Sequence, residues 1–330
     1  MKKLNVAVIG ATGMVGRTIL KVLEERAFPI NNLYLFASSK SKNTKVIFNN
    51  TEYLVEKLDY SSFNKDIDIA LFSAGSEISK QYAPLAKEKG IIVIDNSSAW
   101  RMEEDVPLIV PEVNPQDIRW HKGIISNPNC STIQVVVPLN PLHETYKIKR
   151  LVYSTYQAVS GSGVGGIMDL ENGLKNLPNK KYPYPIAYNC IPHIDTFMDN
   201  GYTKEEFKMI EETKKILNDN ALKITATTVR IPVKNCHSVS INIEFEKAFE
   251  VSHIYKILSE SKGVIIQDDI DNNIYPMPIS ANGTDDVYVG RIRRDFSIEN
   301  GVNMWVVSDN IRKGAATNAV QIAELVTETL

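Results

Sequence analysis

The sequence has little of several features that would place it in a specialised class of protein. It contains three cysteines among 330 residues, and an odd, small number excludes a disulfide framework. No apolar run approaches the ~20 residues that a membrane-spanning helix needs, and we find no signal peptide. We therefore expect a cytoplasmic protein with reduced thiols and no membrane partner.

Excess charge is absent too. The 37 Lys and Arg residues nearly balance the 39 Asp and Glu residues, so the formal net charge is −2. This balance argues against the general positive surface that nucleic-acid binding requires, and we expect no nucleic-acid partner. The apolar and charged fractions, 43% and 23%, are ordinary for a globular protein. A chain of this length predicts two domains at ~150 residues each.

The first strand-like run leads directly into a glycine-rich turn. Leu4–Ile9 is continuously apolar, the turn that follows has the spacing GxxGxxG, and Arg17–Glu25 has the apolar period of a helix. A strand, a glycine turn and a helix in this order are typical of a dinucleotide site, although a plain helix-opening turn is the alternative. The candidate cofactor-binding residues here are Gly10, Thr12, Gly13, Met14 and Val15.

The second and third strands add further candidates. An acid that would bind the ribose 2′-hydroxyl of NAD is missing after the strand 33–36, where Ser38, Ser39 and Lys40 stand instead. These residues suit a 2′-phosphate and predict NADP, unless the segment is only a solvated loop. The strand that begins at Asp68 ends in small residues at Gly75, where a cofactor can pass close to the backbone.

Two polar segments follow later strands of the same predicted sheet. Arg101 comes after the strand 91–95, and ligands gather at the carboxyl ends of parallel strands. The alternative for this arginine is a surface salt bridge. Pro128 ends a short apolar run, and the apolar segment 133–139 predicts a helix that Ser131 or Thr132 could cap. Cys130 then lies at a helix N-terminus, which stabilises a thiolate, unless it is an inert buried cysteine.

The run Ser-Asn-Pro-Asn-Cys-Ser-Thr at 126–132, downstream of a dinucleotide fingerprint, resembles the nucleophile motif of the aspartate-β-semialdehyde dehydrogenase family. The resemblance implies that Cys130 is the nucleophile, that Asn129 binds substrate and that Arg101 binds phosphate. It also implies a homodimer or homotetramer. A small-molecule substrate and inorganic phosphate are the expected ligands, with NADP as the cofactor and no metal.

Longer β runs from residue 150 onward predict a second domain. The strand 151–160 leads into glycines 161–166, which predict a turn that is either a second phosphate contact or only flexible. The resemblance implies that Gln157 positions substrate and that Ser160 and Gly161 lie beside the nicotinamide. Residues 175–197 predict a loop.

A helix is predicted from Lys204, with Thr203 and Glu206 forming a capping box. Glu205 and Lys208 share one face, which is usually a solvated pair. The resemblance implies that they bind the substrate amino group and phosphate, with Glu206 as the alternative acid.

Residues 226–245 predict two strands around a bend, with Arg230 and His237 on either side of it. The resemblance implies an arginine for the substrate carboxylate and a general acid/base histidine. Cys190, His193, Cys236 and His237 could be considered for zinc, but their spacing fits no common pattern.

Strands at 285–294 and 304–309 precede a helix that begins near Asn310 and runs to about Thr329. The resemblance implies that this helix returns to the nucleotide domain and that Asn310 lies near the cofactor. The predicted fold class is α/β. A Rossmann-type domain at 1–129, completed by 311–330, joins an α+β substrate and dimerisation domain at 130–310 with a mixed sheet.

The resemblance implies NADP-dependent reductive dephosphorylation of L-aspartyl-4-phosphate to L-aspartate-4-semialdehyde, in lysine, threonine, methionine and isoleucine biosynthesis. In the reverse direction Cys130 attacks the semialdehyde, His237 takes the proton, and hydride transfer leaves a thioester that phosphate cleaves. N-acetyl-γ-glutamyl-phosphate reductase is the alternative enzyme, and the acid at Glu205 argues against its acylated amine. A nucleotide sensor without turnover is the alternative from another class.

Overall fold

The computed structural model describes residues 3–328. Contacts divide the chain into two compact units. The first holds the chain up to Asn129 and the segment from Ala315 onward, and the second is Cys130–Gly314. The first two and last two residues of the predicted nucleotide-binding domain lie outside the described residues.

The first unit is built on a parallel sheet. Its strands lie in the order β5-β2-β1-β6-β7-β8, and every pairing in it is parallel. The elements are β1 (Leu4–Ile9), α1 (Met14–Glu25), β2 (Ile30–Ala37), β3 (Lys45–Phe48), β4 (Thr51–Leu54), β5 (Glu56–Lys57), β6 (Ile69–Phe72), α2 (Ser76–Glu88), β7 (Ile92–Asp95), β8 (Ile124–Ser126) and, from the C-terminal segment, the helix Asn318–Thr327. β3 and β4 form a separate antiparallel pair.

Burial explains why these segments form a parallel sheet. All six residues of β1 are buried, as expected for a central strand covered on both faces. The chain leaves β1 for β2 on one side and later returns to β6 on the other, so the strand order reverses between β1 and β6. Ligands of doubly wound sheets bind at such a reversal. The predicted Rossmann-type domain is confirmed.

The second unit is built on a mixed sheet with the order β10-β9-β11-β14-β13-β12. Its outer pairs, β10–β9 and β12–β13, are parallel, and the inner pairs are antiparallel. The elements are α3 (Cys130–Tyr146), β9 (Ile148–Gln157), α4 (Gly163–Gly173), α5 (Lys204–Ile216), β10 (Lys223–Arg230), β11 (His237–Phe245), α6 (Val251–Ser259), β12 (Val264–Ile266), α7 (Pro278–Ala281), β13 (Val287–Asp295) and β14 (Gly301–Ser308). The C-terminal helix Asn318–Thr327 is α8. The predicted α+β unit with a mixed sheet is confirmed.

The run of glycines after β9 forms a helix and not the predicted turn. A short 3-10 segment, Val159–Ser162, leads into α4, which begins at Gly163. A Cβ on Gly166 would stand 2.3 Å from the carbonyl oxygen of Val159, so glycine is needed there for close packing of the helix. A local pattern cannot distinguish this requirement from a flexible turn.

Two helix starts also differ from prediction. α3 begins at Cys130, so Ser131 and Thr132 lie inside its first turn and neither precedes the helix as a cap. The C-terminal helix α8 begins only at Asn318, after a π-helical segment at Arg312–Thr317. By contrast, the predicted capping box of α5 is confirmed: Thr203 Oγ1 accepts from the Glu206 amide, and the Thr203 amide donates to Glu206 Oε2.

Candidate active site

The glycine turn after β1 is shaped by close backbone contacts. Gly10 has φ +84°, and a Cβ on it would stand 2.8 Å from the carbonyl oxygen of Ser73, at the carboxyl end of β6. A Cβ on Gly16 would stand 2.2 Å from the carbonyl oxygen of Gly10. Each glycine therefore allows an approach that any side chain would block. The motif holds α1 directly against the end of β1, which is the arrangement of a pyrophosphate cradle.

The N-terminus of α1 is suited to an anion. The helix follows Gly13 with no side-chain cap and no acidic residue in its first turn, which contains Met14 and Val15. Its first amides and the positive end of the helix dipole thus meet no competing carboxylate of that turn. Thr12 lies beside this turn and bonds Ser41 through the two hydroxyls at 3.1 Å. Gly75, with φ +88°, has no atom within 4 Å of where a Cβ would stand.

The carboxyl end of β2 carries small polar side chains. Ser38, Ser39 and Lys40 are all exposed there, and no acid stands among them. Ser38 precedes a 3-10 turn at Ser39–Ser41, which turns the chain immediately after the strand.

Arg101 is buried at 7% exposure in the first unit, so it is not a surface salt bridge. Its Nε donates to the carbonyl oxygen of Asn127 at 3.0 Å, and its Nη2 donates to that of Asn96 at 2.8 Å. Asn127 Nδ2 in turn donates to Asn96 Oδ1. These bonds hold the guanidinium against the loops that follow β7 and β8. Asn129, also buried, ends the same segment.

Cys130 is the first residue of α3, a helix of 17 residues, and its side chain is half-buried. A thiolate at this position lies at the positive end of the helix dipole, close to backbone amides that have no partner within the helix. All three cysteines are present as thiols. Cys190 is exposed, whereas Cys236 is buried and its burial raises the pKa of its thiol.

Sheet register brings Arg230 and His237 to one edge of the second unit. β9 lies between β10 and β11, with Arg230 opposite Gln157 in one pair and Ser238 opposite Tyr156 in the other. The last residue of β10 and the first of β11 therefore flank the end of β9. His237 is fully buried and Arg230 is 4% exposed. The predicted bend does not make β10 and β11 neighbours, because β9 separates them.

A chain of polar contacts runs from the end of β9 to α5. Gln157 Nε2 donates to Glu205 Oε1 at 3.1 Å, and Lys208 Nζ lies 3.3 Å from Glu205 Oε2. Lys208 also bonds Asp195 at 2.6 Å. Burial raises the pKa of the Asp195 carboxyl. The hydrogen bond and the charge of Lys208 lower it, and the net result is a pKa below the ordinary value. Glu205 is 6% exposed, so it is not the solvated half of a surface pair. Glu206 instead caps the helix and accepts the amide of Thr228.

Asn310 holds Ser160 to the residue before His237. Its Oδ1 accepts the Cys236 amide at 2.9 Å, and its Nδ2 donates to Ser160 Oγ at 3.0 Å. Cys236 has φ +72°, an uncommon conformation for a residue with a side chain. Gly161 follows Ser160 and lies against the side chains of Arg230 and His237.

Sequence reasoning missed three residues that contact the candidate site side chains. Gln134, one turn into α3, donates from Nε2 to the carbonyl oxygen of His237 at 3.3 Å. Gly314 packs on Cys130. Ala158 bonds both Arg230 and His237 through its backbone. Of the three, only Gln134 left a signal, as a polar residue inside the apolar run 133–139.

Within residues 3–328, no cluster of three or more His, Cys, Asp or Glu side chains is arranged to hold a metal ion. No helix in that part of the chain is long and apolar enough to cross a membrane.

Comparison with known proteins identifies the family. Residues 5–121 match the model described as "Semialdehyde dehydrogenase, NAD binding domain", and residues 139–313 match "Semialdehyde dehydrogenase, dimerisation domain". The aspartate-semialdehyde dehydrogenase of Aquifex aeolicus is 56% identical over 97% of each chain, and that of Bacillus subtilis is 49% identical over 97% of this chain and 96% of its own.

Solved structures agree in fold. Aspartate semialdehyde dehydrogenase II of Vibrio cholerae, complexed with ASA, has a TM-score of 0.95 and 44% identity over 99% of each chain. The Candida albicans enzyme with NADP has a TM-score of 0.79 and 26% identity over 99% of each chain. The glycine cradle and the matched NAD-binding domain indicate an oxidoreductase with a nicotinamide dinucleotide cofactor. The chain belongs to the aspartate-semialdehyde dehydrogenase family.

Proposed function

We propose that this protein catalyses the NADP-dependent reductive dephosphorylation of L-aspartyl-4-phosphate to L-aspartate-4-semialdehyde, reversibly and through a thioester on Cys130. The observation that carries the proposal is the half-buried thiol at the N-terminus of α3. Its unit also presents Arg230, His237 and Gln157 at one sheet edge.

Cys130 is the proposed nucleophile. A free thiol is only a few per cent ionised at pH 7, so a nucleophilic cysteine needs a group that stabilises its thiolate. The N-terminus of α3 supplies a partial positive charge that stabilises a thiolate. In the biosynthetic direction the thiolate attacks the acyl phosphate, the acyl–oxygen bond breaks, and phosphate leaves.

Arg230 is the proposed ligand of the substrate carboxylate. Its guanidinium is buried, its Nη1 donates to the carbonyl oxygen of Ala158, and its Nε has no partner among the described residues. A buried cation without a carboxylate costs free energy unless a ligand supplies the negative charge. A planar fork that pairs with a carboxylate at two points meets this requirement.

Glu205 is the proposed ligand of the substrate ammonium group, oriented by Gln157. A carboxylate suits the free amine of an aspartyl substrate better than the acylated amine of N-acetylglutamyl phosphate. Arg101 and Lys208 are each proposed to bind phosphate. Asn129, at the end of the first unit, is proposed to contact substrate.

The proposed cofactor is NADP, which supplies or accepts the hydride when bound. The residues proposed to hold it are Gly10, Thr12, Gly13, Met14, Val15, Ser38, Ser39, Gly75, Ser160, Gly161 and Asn310. Support comes from the glycine cradle, where a Cβ would collide with backbone. The choice of NADP over NAD is supported by the exposed serines and lysine at the end of β2, where a 2′-phosphate finds hydroxyl donors and a cation.

The decisive experiment is phosphate-dependent reduction of NADP⁺ with L-aspartate-4-semialdehyde, comparing wild type with Cys130→Ser. We expect turnover in the first and near-complete loss in the second. Cys190→Ser is the matched control, because it removes an exposed thiol far along the chain from the motif. Turnover with N-acetylglutamate semialdehyde alone would identify the alternative enzyme, N-acetyl-γ-glutamyl-phosphate reductase. No turnover with either semialdehyde would indicate a nucleotide-binding protein without this activity.

We also propose a homodimer or homotetramer in the cytoplasm, serving lysine, threonine, methionine and isoleucine biosynthesis. The matched dimerisation domain covers the second unit. Exposed apolar side chains near α7, Met277 at 42% and Ile279 at 84%, support a protein contact there. Light scattering of wild type and Ile279→Glu tests it, and a monomer for wild type would contradict it.

A further inference from the structure

Arg17 is an exposed cation that is fixed at the glycine turn of the first unit. Its Nε donates to the carbonyl oxygen of Thr12 at 3.1 Å, and its own amide donates to the carbonyl oxygen of Gly13. Side chains on a helix point back towards its N-terminus, so the guanidinium lies over the turn that precedes α1. One nitrogen of the side chain therefore anchors the whole group to the turn.

The two terminal amino groups of Arg17 keep their hydrogen-bonding capacity. In the part of the chain that the structure describes, Arg17 pairs with no carboxylate, and its bond to Thr12 uses only Nε. The residues three and four positions away are Gly13, Met14, Leu20 and Lys21, and none of them is acidic. A guanidinium anchored in this way presents Nη1 and Nη2 side by side, which suits two oxygens of a phosphate.

Thr12 joins this arginine to the turn that follows β2. Its hydroxyl lies 3.1 Å from that of Ser41, while its carbonyl oxygen accepts from Arg17. Ser41 ends the 3-10 turn Ser39–Ser41, which begins two residues after β2. In dinucleotide-binding folds the end of this second strand meets the adenosine ribose, and an arginine nearby can accommodate a 2′-phosphate.

The charge around this contact has one sign. Residues 10–18 contain Arg17 and no acid, and residues 38–44 contain Lys40 and Lys42 and no acid. Both lysines are exposed. Cations therefore gather on two segments that Thr12 and Ser41 join, although the formal net charge of the chain is −2. Like charges close together repel one another, so an anionic ligand between them is stabilised.

The pyrophosphate of a dinucleotide is expected at another part of the same turn. It binds backbone amides at the start of the first helix, here those that follow Gly13. The Arg17 amide is bonded within the helix, whereas its side chain turns towards Thr12 and Ser41. A phosphate monoester on the ribose, which is mostly dianionic at neutral pH, matches a guanidinium and two ammonium groups.

We propose that the terminal amino groups of Arg17 bind the 2′-phosphate of NADP and thereby help to discriminate NADP from NAD. The inference rests on the proposed function for the identity of the cofactor. It adds a specificity-determining residue on α1 to the serines and the lysine at the end of β2.

Binding of two adenosine nucleotides to the full chain tests this assignment without any turnover. 2′,5′-ADP carries the ribose 2′-phosphate of NADP, whereas 5′-AMP lacks it, and isothermal titration calorimetry measures both dissociation constants. We expect Arg17→Gln to weaken 2′,5′-ADP binding at least about tenfold, the size of a hydrogen bond to a charged group. Binding of 5′-AMP should weaken less than about threefold, because a solvent-screened charge alone contributes little.

Lys21→Gln is the matched control. It removes the same charge one turn further along α1, where Lys21 is exposed and lies 3.5 Å from Glu25. We expect both nucleotides to bind this variant as they bind wild type, since a screened charge that touches no phosphate contributes little. An equal loss of 2′,5′-ADP affinity in Lys21→Gln and Arg17→Gln would reduce the effect to general charge and overturn the proposal.

Arg17→Lys tests the geometry of the contact. The variant keeps the charge, but a single ammonium group cannot replace a fork that bonds Thr12 and a phosphate together. We expect 2′,5′-ADP to bind Arg17→Lys more tightly than Arg17→Gln and less tightly than wild type. Wild-type affinity in Arg17→Lys would contradict the anchored fork.

The binding data also separate this inference from the proposed reaction. Equal weakening of both nucleotides in Arg17→Gln would place the guanidinium at the 5′-phosphate, and unchanged 2′,5′-ADP binding would exclude it from the site. A wild type that binds 2′,5′-ADP no better than 5′-AMP would overturn both the choice of NADP and the role of Arg17. The expected loss in Arg17→Gln, in a protein that turns over neither semialdehyde, would reject the reaction and support the 2′-phosphate contact.

Discussion

Gly314 lies so close to Cys130 that a Cβ on the glycine would stand 2.9 Å from the cysteine Cβ and 3.3 Å from its Cα. Real Cβ atoms do not approach this closely, so a side chain at 314 must change the position of that segment relative to the start of α3. We predict that Gly314→Ala lowers kcat/KM by ~10²-fold, because misplacing a reacting group by about an ångström costs that much. Steady-state kinetics measure the effect.

Gly173→Ala is the matched control for this change. A Cβ there would stand 2.8 Å from the Cβ of Ala187, so the steric conflict is similar but lies at the end of α4. Both variants should lower the midpoint of thermal unfolding, and only Gly314→Ala should lower turnover. Equal loss of activity in the two would show that general strain, and not contact with Cys130, is the cause.

Ser39→Asp should weaken the preference for NADP. The new carboxylate would stand at the exposed end of β2, where it repels a 2′-phosphate and can accept from a 2′-hydroxyl. We expect the ratio of kcat/KM for NADP to that for NAD to fall by at least about tenfold, which corresponds to ~1.4 kcal/mol. Asn50→Asp adds the same charge in the exposed turn between β3 and β4 and should leave the ratio unchanged.

Glu205→Gln should impair recognition of the free amine. The amide keeps the size of the side chain but removes the charge that the proposed ammonium contact needs. A hydrogen bond to a charged group contributes ~1.5–3 kcal/mol, so kcat/KM for aspartate semialdehyde should fall ~10- to 100-fold. The control is Glu211→Gln on the same helix, where Glu211 pairs with Lys214. An unchanged kcat/KM in Glu205→Gln would show that a group other than Glu205 binds the substrate ammonium.

Folding stability should fall as the pH drops below the ordinary histidine pKa. Burial lowers the pKa of His121, His143 and His237 in the folded chain, whereas in the unfolded chain they titrate near ~6.5. Between these two values the unfolded chain binds more protons, so the free energy of unfolding decreases with decreasing pH. Fully buried His237 contributes at most ~1.4 kcal/mol per pH unit.

Urea unfolding at pH 7, 6 and 5 measures this dependence. In His237→Gln the slope of the free energy of unfolding against pH should decrease by up to ~1.4 kcal/mol per pH unit, which corresponds to one proton. Asp95, whose pKa is raised by burial, acts in the opposite sense at lower pH, and it is present in both proteins. An equal slope in wild type and variant would mean that His237 is already protonated in the folded chain.

Local patterns predicted the elements well where periodicity or capping chemistry was clear. The capping box of Thr203 and Glu206 and the strand–glycine–helix order at Gly10 depend on neighbours in sequence, and both are found in the structure. The glycines of 163–166 were misjudged, because the pattern shows that glycine is tolerated but not that Gly166 packs against Val159.

The side chains at the candidate site were predicted by residue type and motif, but their hydrogen-bond partners were not. Nothing in the sequence indicates that Gln134 bonds the His237 carbonyl oxygen or that Asn310 bonds both Ser160 and Cys236. These contacts join positions 103, 150 and 74 residues apart, and only the paired strands between them determine such distances.

The sequence by itself determined which segments are buried strands, where a dinucleotide cradle forms and which thiol begins a helix, since each depends on residues close together in the chain. Tertiary structure decided the orientation of the reactive groups. Insertion of β9 between β10 and β11 brings the ends of three strands to Ala158. The backbone of that alanine then bonds the side chains of His237 and Arg230, because a buried polar group must find its partner wherever the fold provides one.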